Sequence, residues 1–193
     1  MSAEKLFLTR YNHYQKLEKR YTKSFDRISN LRFFIFLAGA IFTILCSFLG
    51  TSAQALSVLL FFLVLFLALV HKHSKVEQEL NTVRAMLEIQ RRYLNRINGT
   101  WVSFDDCGLE FVDGNHPYTY DLDIFGPKSL FQWISVAKTV LGRHHLKTLL
   151  SNPSKNLNTI KMRQNAVKEL ATKLEFCQKL ECHGLLVDDV SRD

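Results

Sequence analysis

Between Phe33 and Val70 the chain has no Asp, Glu, Lys, Arg or His, a run of 38 positions in a protein of 193 residues. Lys and Arg are also missing from residues 99–127, which carry six acids. Each absence excludes something. Phe33, Phe34, Phe36, Leu37, Ile41, Phe42, Ile44, Leu45, Phe48 and Leu49 surround a helix on all sides, whereas a soluble surface helix keeps one polar face. No charge lines the run, so ion or solute transport has no support. The run starts after 32 largely polar residues and lacks a small-residue cleavage pattern, which excludes a cleaved signal peptide.

What is present in the run is length. At ~1.5 Å rise per residue, ~20 apolar residues cross a ~30 Å hydrocarbon core, and this stretch is about twice that. Its concentrated polar stretch, Gly50-Thr51-Ser52-Ala53-Gln54, divides it into spans 33–49 and 55–70. The expectation is a transmembrane helical hairpin. Residues 1–32 carry eight Lys/Arg against three acids, residues 71–98 six against three, and the turn none. Basic residues stay on the cytoplasmic side, so a multi-pass protein of the cell membrane is expected, with both termini cytoplasmic and the lipid bilayer as a partner.

The net charge of +7 divides into +5 for 1–32, +3 for 71–98, −6 for 99–127 and +5 for 128–193. Topology and attraction to anionic head groups account for most of the N-terminal excess, so the high pI argues little for nucleic acid. Of the four cysteines, Cys46 lies in a span and Cys107, Cys177 and Cys182 fall on the expected cytosolic side, so reduced thiols are expected. Cys177-x4-Cys182-His183 offers three ligands at a spacing unlike the usual zinc sites. Asn98-Gly99-Thr100 matches a glycosylation acceptor, but on the cytoplasmic side it reads as an Asn-Gly turn.

Two arms extend the hairpin. Val76, Leu80, Val83, Leu87, Gln90, Leu94 and Ile97 recur at steps of four and three, as do Tyr14, Leu17, Tyr21, Ser24, Ile28 and Leu31. A tight turn makes the arms emerge side by side, so an antiparallel stalk burying both seams is expected. A basic amphipathic helix lying on the bilayer is the alternative. Beyond Asn98-Gly99, Thr100–Phe104 and Leu109–Val112 read as two short strands joined by Asp105-Asp106-Cys107-Gly108, a small β-hairpin. The acids of this segment suit turns better than a calcium loop.

The helical period returns at Ser129, with Leu130, Phe131, Ile134, Ala137, Val140 and Leu141 on one face and a break at Gly142. It resumes with Leu146, Leu149 and Leu150 until Asn152-Pro153. A further helix is expected from an N-cap near Asn158, with Ile160, Val167, Leu170, Leu174, Cys177 and Leu180 inward. Short links between such helices indicate part of a bundle. The fold class is therefore mainly α. Its segments are a basic helix (1–32), a transmembrane hairpin (33–70), a stalk helix (71–98), an acidic strand-and-turn segment (99–127) and an incomplete helical domain (128–193).

The stretch His116-Pro117-Tyr118-Thr119-Tyr120-Asp121-Leu122-Asp123-Ile124-Phe125-Gly126-Pro127-Lys128-Ser129-Leu130-Phe131-Gln132 resembles the membrane-anchored branch of MutS-related proteins. The pattern continues through Thr139, Gly142, Leu146, Leu150 and Pro153 to Arg163-Gln164-x-Ala166-Val167-x-Glu169-Leu170. Upstream, Trp101-x-x-Phe104 and Gly108-x-Glu110-Phe111 fit as well. The likeness covers roughly residues 100–182 closely and 1–99 by architecture.

That resemblance implies the opening of an all-helical core, or lever, domain ahead of an ATPase of the DNA mismatch-repair type. It makes His116, Tyr118, Asp121, Asp123, Phe125, Gly126, Ser129, Thr139, Gly142, Pro153, Arg163 and Gln164 structural motif positions, with no catalytic, cofactor or metal residue among them. The chain departs from the family's enzymes in one respect. Nothing in it matches G-x-x-x-x-G-K-[ST], and Gly126-Pro127-Lys128-Ser129 lacks the first glycine and the spacing. No Walker B acid can be placed. The sequence thus reads as the non-enzymatic N-terminal part of a longer protein, from a truncated or split gene among other origins. ATP and magnesium are expected only in a C-terminal domain it lacks, DNA only through the full-length protein, and a homodimer only by resemblance. No small-molecule substrate is indicated. The alternative is a membrane-tethered adaptor that recruits a partner through stalk and bundle.

Overall fold

The computed structural model describes residues 2–190, with side chains to residue 187. The ends of segments 1–32 and 128–193, Met1 and residues 191–193, lie outside the described residues. The described chain is helical and has no strand. Two long helices, α1 (Ala3–Leu49) and α2 (Ser52–Ile97), are followed by 3-10 turns at Thr100–Ser103 and Leu109–Phe111. Four shorter helices complete it: α3 (Leu130–Ile134), α4 (Val140–Ser151), α5 (Leu157–Ala171) and α6 (Leu174–Val190). Residues 13–84 form one compact unit, and residues 1–12 with 85–193 form another.

In the first unit α1 and α2 run antiparallel. The turn between them is tighter than the sequence suggests, since α1 ends at Leu49 and α2 starts at Ser52. Thr51 and Gln54 make a reciprocal cap: the Gln54 Oε1 accepts from the Thr51 N–H (3.0 Å), and the Thr51 hydroxyl accepts from the Gln54 N–H (3.4 Å). Gly50 is required there, because a Cβ would sit 2.7 Å from the Gln54 Oε1 and 2.9 Å from the Cys46 carbonyl oxygen. Within the apolar part the helices touch at Gly39, where a Cβ would lie 2.9 Å from the Phe62 Cβ. Phe42 stacks on Phe62, and Phe36 meets Phe66.

Both helices are long and apolar enough to cross a membrane, and only 6% and 0% of their apolar windows are buried. Helices from the core of a soluble protein would be covered there. Phe33, Phe34, Phe61 and Val64 all stand more than three-fifths exposed. Beyond the apolar part the stalk seam is present in part. Leu80 and Val83 are buried, Tyr14, Leu17, Tyr21, Ser24 and Ile28 half-buried, while Leu31 is exposed. A Phe25–His73 contact (4.3 Å) and a Glu18–Arg84 ion pair join the arms.

The second unit has two small cores. Phe111, Ile124, Phe125 and Phe131 make one, with Tyr118, Leu146 and Leu150 against it. Ala85 and Ile89 of α2 and Cys182 of α6 make the other, with Met86, Tyr93, Leu185 and Leu186. Phe7 of α1 stacks on Tyr93 at 4.8 Å.

Four expectations are corrected here. Thr100–Phe104 and Leu109–Val112 are not strands: their N–H groups close i→i+3 turns. The Gln132 side-chain amide also takes the Val102 and Phe104 carbonyls (3.2 and 2.6 Å), which a strand ladder would need. Gly142 breaks no helix. It lies in the first turn of α4, where its N–H is capped by the Thr139 hydroxyl, and the break falls earlier, after Ile134. The N-cap of α5 is Asn156, whose Oδ1 accepts from the N–H groups of Asn158 and Thr159. Finally, α5 and α6 are separate helices, and the face expected inward is largely open. Val167 and Leu180 are about two-thirds exposed, whereas Gln178, Glu181 and Cys182 are buried.

Candidate functional site

The residues 116–132 fold into a knot of backbone hydrogen bonds. The His116 Nδ1 accepts from the N–H groups of Tyr118 and Thr119. The N–H groups of Leu130 and Phe131 donate back to the carbonyls of Asp123 and Ile124 (3.0 Å each). Asp123, Gly126 and Lys128 adopt left-handed backbone (φ 48°, 98° and 61°), which lets the chain reverse twice within six residues. Ser129, buried, caps α3 by accepting from the Gln132 N–H. The Gln132 side chain accepts from the Lys128 N–H (2.7 Å) as well as donating to the two upstream carbonyls. Tyr118 reaches the far end of α4, where its hydroxyl meets the Leu150 and Ser151 carbonyls (2.8 and 2.5 Å). Those carbonyls lack partners within the helix.

Most of the sequence-derived motif positions therefore meet in this knot or at its neighbouring helix ends. His116, Tyr118, Asp123, Phe125, Gly126 and Ser129 belong to it, and Asp121 lies on it, exposed. Thr139 and Gly142 form the N-terminus of α4. Pro153, Arg163 and Gln164 stand apart, lining an open depression of about 710 Å³ between the end of α4 and α5, with Leu149, Ile160 and Val167. Its walls are mostly apolar, with Arg163 and Lys168 as its charged residues and no carboxylate among its lining.

A second constellation was not anticipated from the sequence. Arg92 and Arg96, one turn apart on α2, point at the loop after α3: the Arg96 Nη2 and Nε donate to the Ser135 and Trp133 carbonyls (2.7 Å each). Behind them lies Glu181 of α6, buried. Burial raises its carboxyl above the ordinary carboxylate range, against the pull of Arg96, Arg92 and Lys138. Neither carboxylate oxygen meets full hydrogen-bond geometry, although the Tyr93 hydroxyl also favours the charged form. Burial, and next the Arg92 guanidinium, bring Lys138 from 10.5 down to about 8, against Glu181, Asp106 and Glu88. Arg96 is lowered by burial and by Arg92, and Tyr93 is raised by burial and by Glu181. Polar residues at core spacing on α6, Gln178 and Glu181 beside Cys182 and Leu185, were the available sign of this cluster.

Arg92 and Lys138 also line a groove of about 810 Å³ with Glu88, Asp105, Asp106 and Arg143. Several of its charges are paired with one another. Arg143 holds Asp106 through two hydrogen bonds (2.8 and 2.9 Å) and also pairs with Glu110, and Arg91 pairs with Glu88. Those bonds and carboxylates hold the guanidiniums of Arg143 and Arg91 above their ordinary value. Among the described residues no three His, Cys, Asp or Glu side chains gather as a metal ion would require. The chemistry assembled is that of holding elements in register: fixed cations, a buried acid and capped carbonyls. No protein-family model matches the chain, and neither does any curated protein or solved structure.

Proposed function

We propose that this chain is the membrane-anchoring and lever-start portion of a MutS-like ATPase of the DNA mismatch-repair type, non-catalytic in itself. The hairpin 33–70 spans the cell membrane, with both ends in the cytoplasm. One observation carries the anchoring: two helices joined by a two-residue turn expose apolar side chains on every outward face over their membrane-length windows. The lever reading rests on the resemblance of residues 116–132 and their continuation to Arg163-Gln164. In support, His116, Tyr118, Phe125, Gly126, Ser129, Thr139 and Gly142 among these positions serve as caps, turns and core packing, the roles that a lever's opening would ask of them.

Two measurements test the proposal separately. Alkaline carbonate should leave the chain in the membrane pellet; release into the supernatant would refute anchoring. The encoding gene should continue past Asp193 into a G-x-x-x-x-G-K-[ST] region, and a stop codon without a downstream ATPase frame would refute the lever reading.

A membrane-tethered adaptor is the second reading. Its support is that the unit comprising residues 1–12 and 85–193 closes two cores with its own side chains. Limited proteolysis of the full chain in detergent should then leave that unit protected, whatever follows in the gene.

A further inference from the structure

We propose that Arg27 and Arg32 of α1 with Lys72 and Lys75 of α2 form a basic collar that binds the phosphate groups of anionic lipids. This rests on the membrane-spanning reading and adds the lipid class. Residues 13–84 hold nine Lys/Arg, and of these nine only Arg84 is in an ion pair, with Glu18. Of the unpaired ones, Arg27, Lys72 and Lys75 are exposed and Arg32 half-exposed.

Position selects four of the eight unpaired cations. At ~1.5 Å per residue, Arg32 adjoins the apolar edge at Phe33 and Arg27 lies about 8 Å further out. Lys72 and Lys75 follow Val70 by about 3 and 8 Å. All four fall within roughly one Debye length at physiological salt, ~8 Å, of that edge. The nearest acids, Asp26 before Phe33 and Glu77 past Val70, each stand about 10 Å from that edge, farther out than the four cations. Side chains of α2 lean toward its N-terminus, so Lys72 and Lys75 tilt toward the bilayer. The Phe25–His73 contact joins the two helices here, making the collar one site instead of two loose arms. The cations follow the boundary of the exposed apolar band, as lipid phosphates do; a nucleic-acid site would need them striped along a groove's length.

The test uses the full chain in vesicles of phosphatidylcholine and phosphatidylglycerol in roughly equal parts, with spin-labelled lipids of each class. Phosphatidylglycerol should be retained several-fold over phosphatidylcholine, since ~1 kcal/mol per surface cation is about fivefold each before competition among lipids. Replacing all four residues by Gln should bring the ratio near one, while K16Q/K19Q, farther from the edge, leaves it unchanged. Equal retention of both lipids by the unmodified chain, or an equal loss in K16Q/K19Q, would overturn the proposal. So would retention at ~0.15 M salt of a DNA duplex that the four-residue variant releases. Carbonate extraction of the same samples separates the two readings: a chain that stays in the pellet without lipid preference refutes the collar alone.

Discussion

Gln132→Ala probes the device that makes segment 99–132 a knot of turns. The Gln132 side chain accepts from the Lys128 N–H and donates to the Val102 and Phe104 carbonyls, and it is only 4% exposed. Three hydrogen bonds at ~0.5–1.5 kcal/mol each set the scale. Water can replace the one at exposed Val102, whereas the half-buried Phe104 carbonyl and the Lys128 N–H have less access. The expected loss is therefore about 2–3 kcal/mol. Gln132→Glu should cost more, because it keeps the volume but sets a carboxylate against two carbonyl oxygens. Urea unfolding of the full chain in detergent, followed by tryptophan emission, reads this locally: Trp101 and Trp133 lie with ring centres 6.3 Å apart beside the knot. A Gln132→Ala chain within about 0.5 kcal/mol of the parent, with unchanged emission, would refute the assignment of the knot to this side chain.

Three further outcomes follow from the same geometry. Gly39→Leu should force α1 and α2 apart at Phe62 and lower the unfolding temperature in detergent, with partial rescue by Phe62→Ala; additive effects of the two changes would contradict the contact. Tyr118→Phe should cost about 1 kcal/mol through the lost cap on α4, with faster hydrogen exchange at that helix end as its sign. Lys138 binds its proton less tightly folded than unfolded, so its contribution to stability should rise with pH between about 8 and 10.5. Lys138→Met should abolish that rise, measured as the parent-minus-variant difference in urea midpoint; a difference flat across this range would contradict the burial of Lys138.

The hairpin was legible because one property, the absence of charge over 38 residues, is local and additive. Even its turn could be read more closely, since Thr51-x-x-Gln54 is a capping-box spacing. The strand expectation failed for a non-local reason: an amide 28 residues beyond Phe104 takes the carbonyl that a ladder would have used. Gly142 and Asn158 were misassigned by a few residues because a neighbouring Thr139 or Asn156 caps equally well in sequence, and only the backbone direction chooses. The Arg92, Arg96, Lys138 and Glu181 cluster joins three separate stretches of chain, so the polar residues at core spacing on α6 signal a buried acid without naming its partners. The sequence offers no reason to pair these residues, whereas the fold buries Glu181 behind two arginines.

The central claim is that the hairpin crosses a bilayer and returns. In a chain with Cys46, Cys107, Cys177 and Cys182 replaced by alanine, single cysteines at Ser52 and at Lys155 report it through labelling of intact cells by a membrane-impermeant maleimide. The account predicts that Ser52→Cys labels from outside and that Lys155→Cys labels only after the membrane is permeabilised. Labelling of Lys155→Cys in intact cells, or protection of Ser52→Cys until permeabilisation, would contradict it.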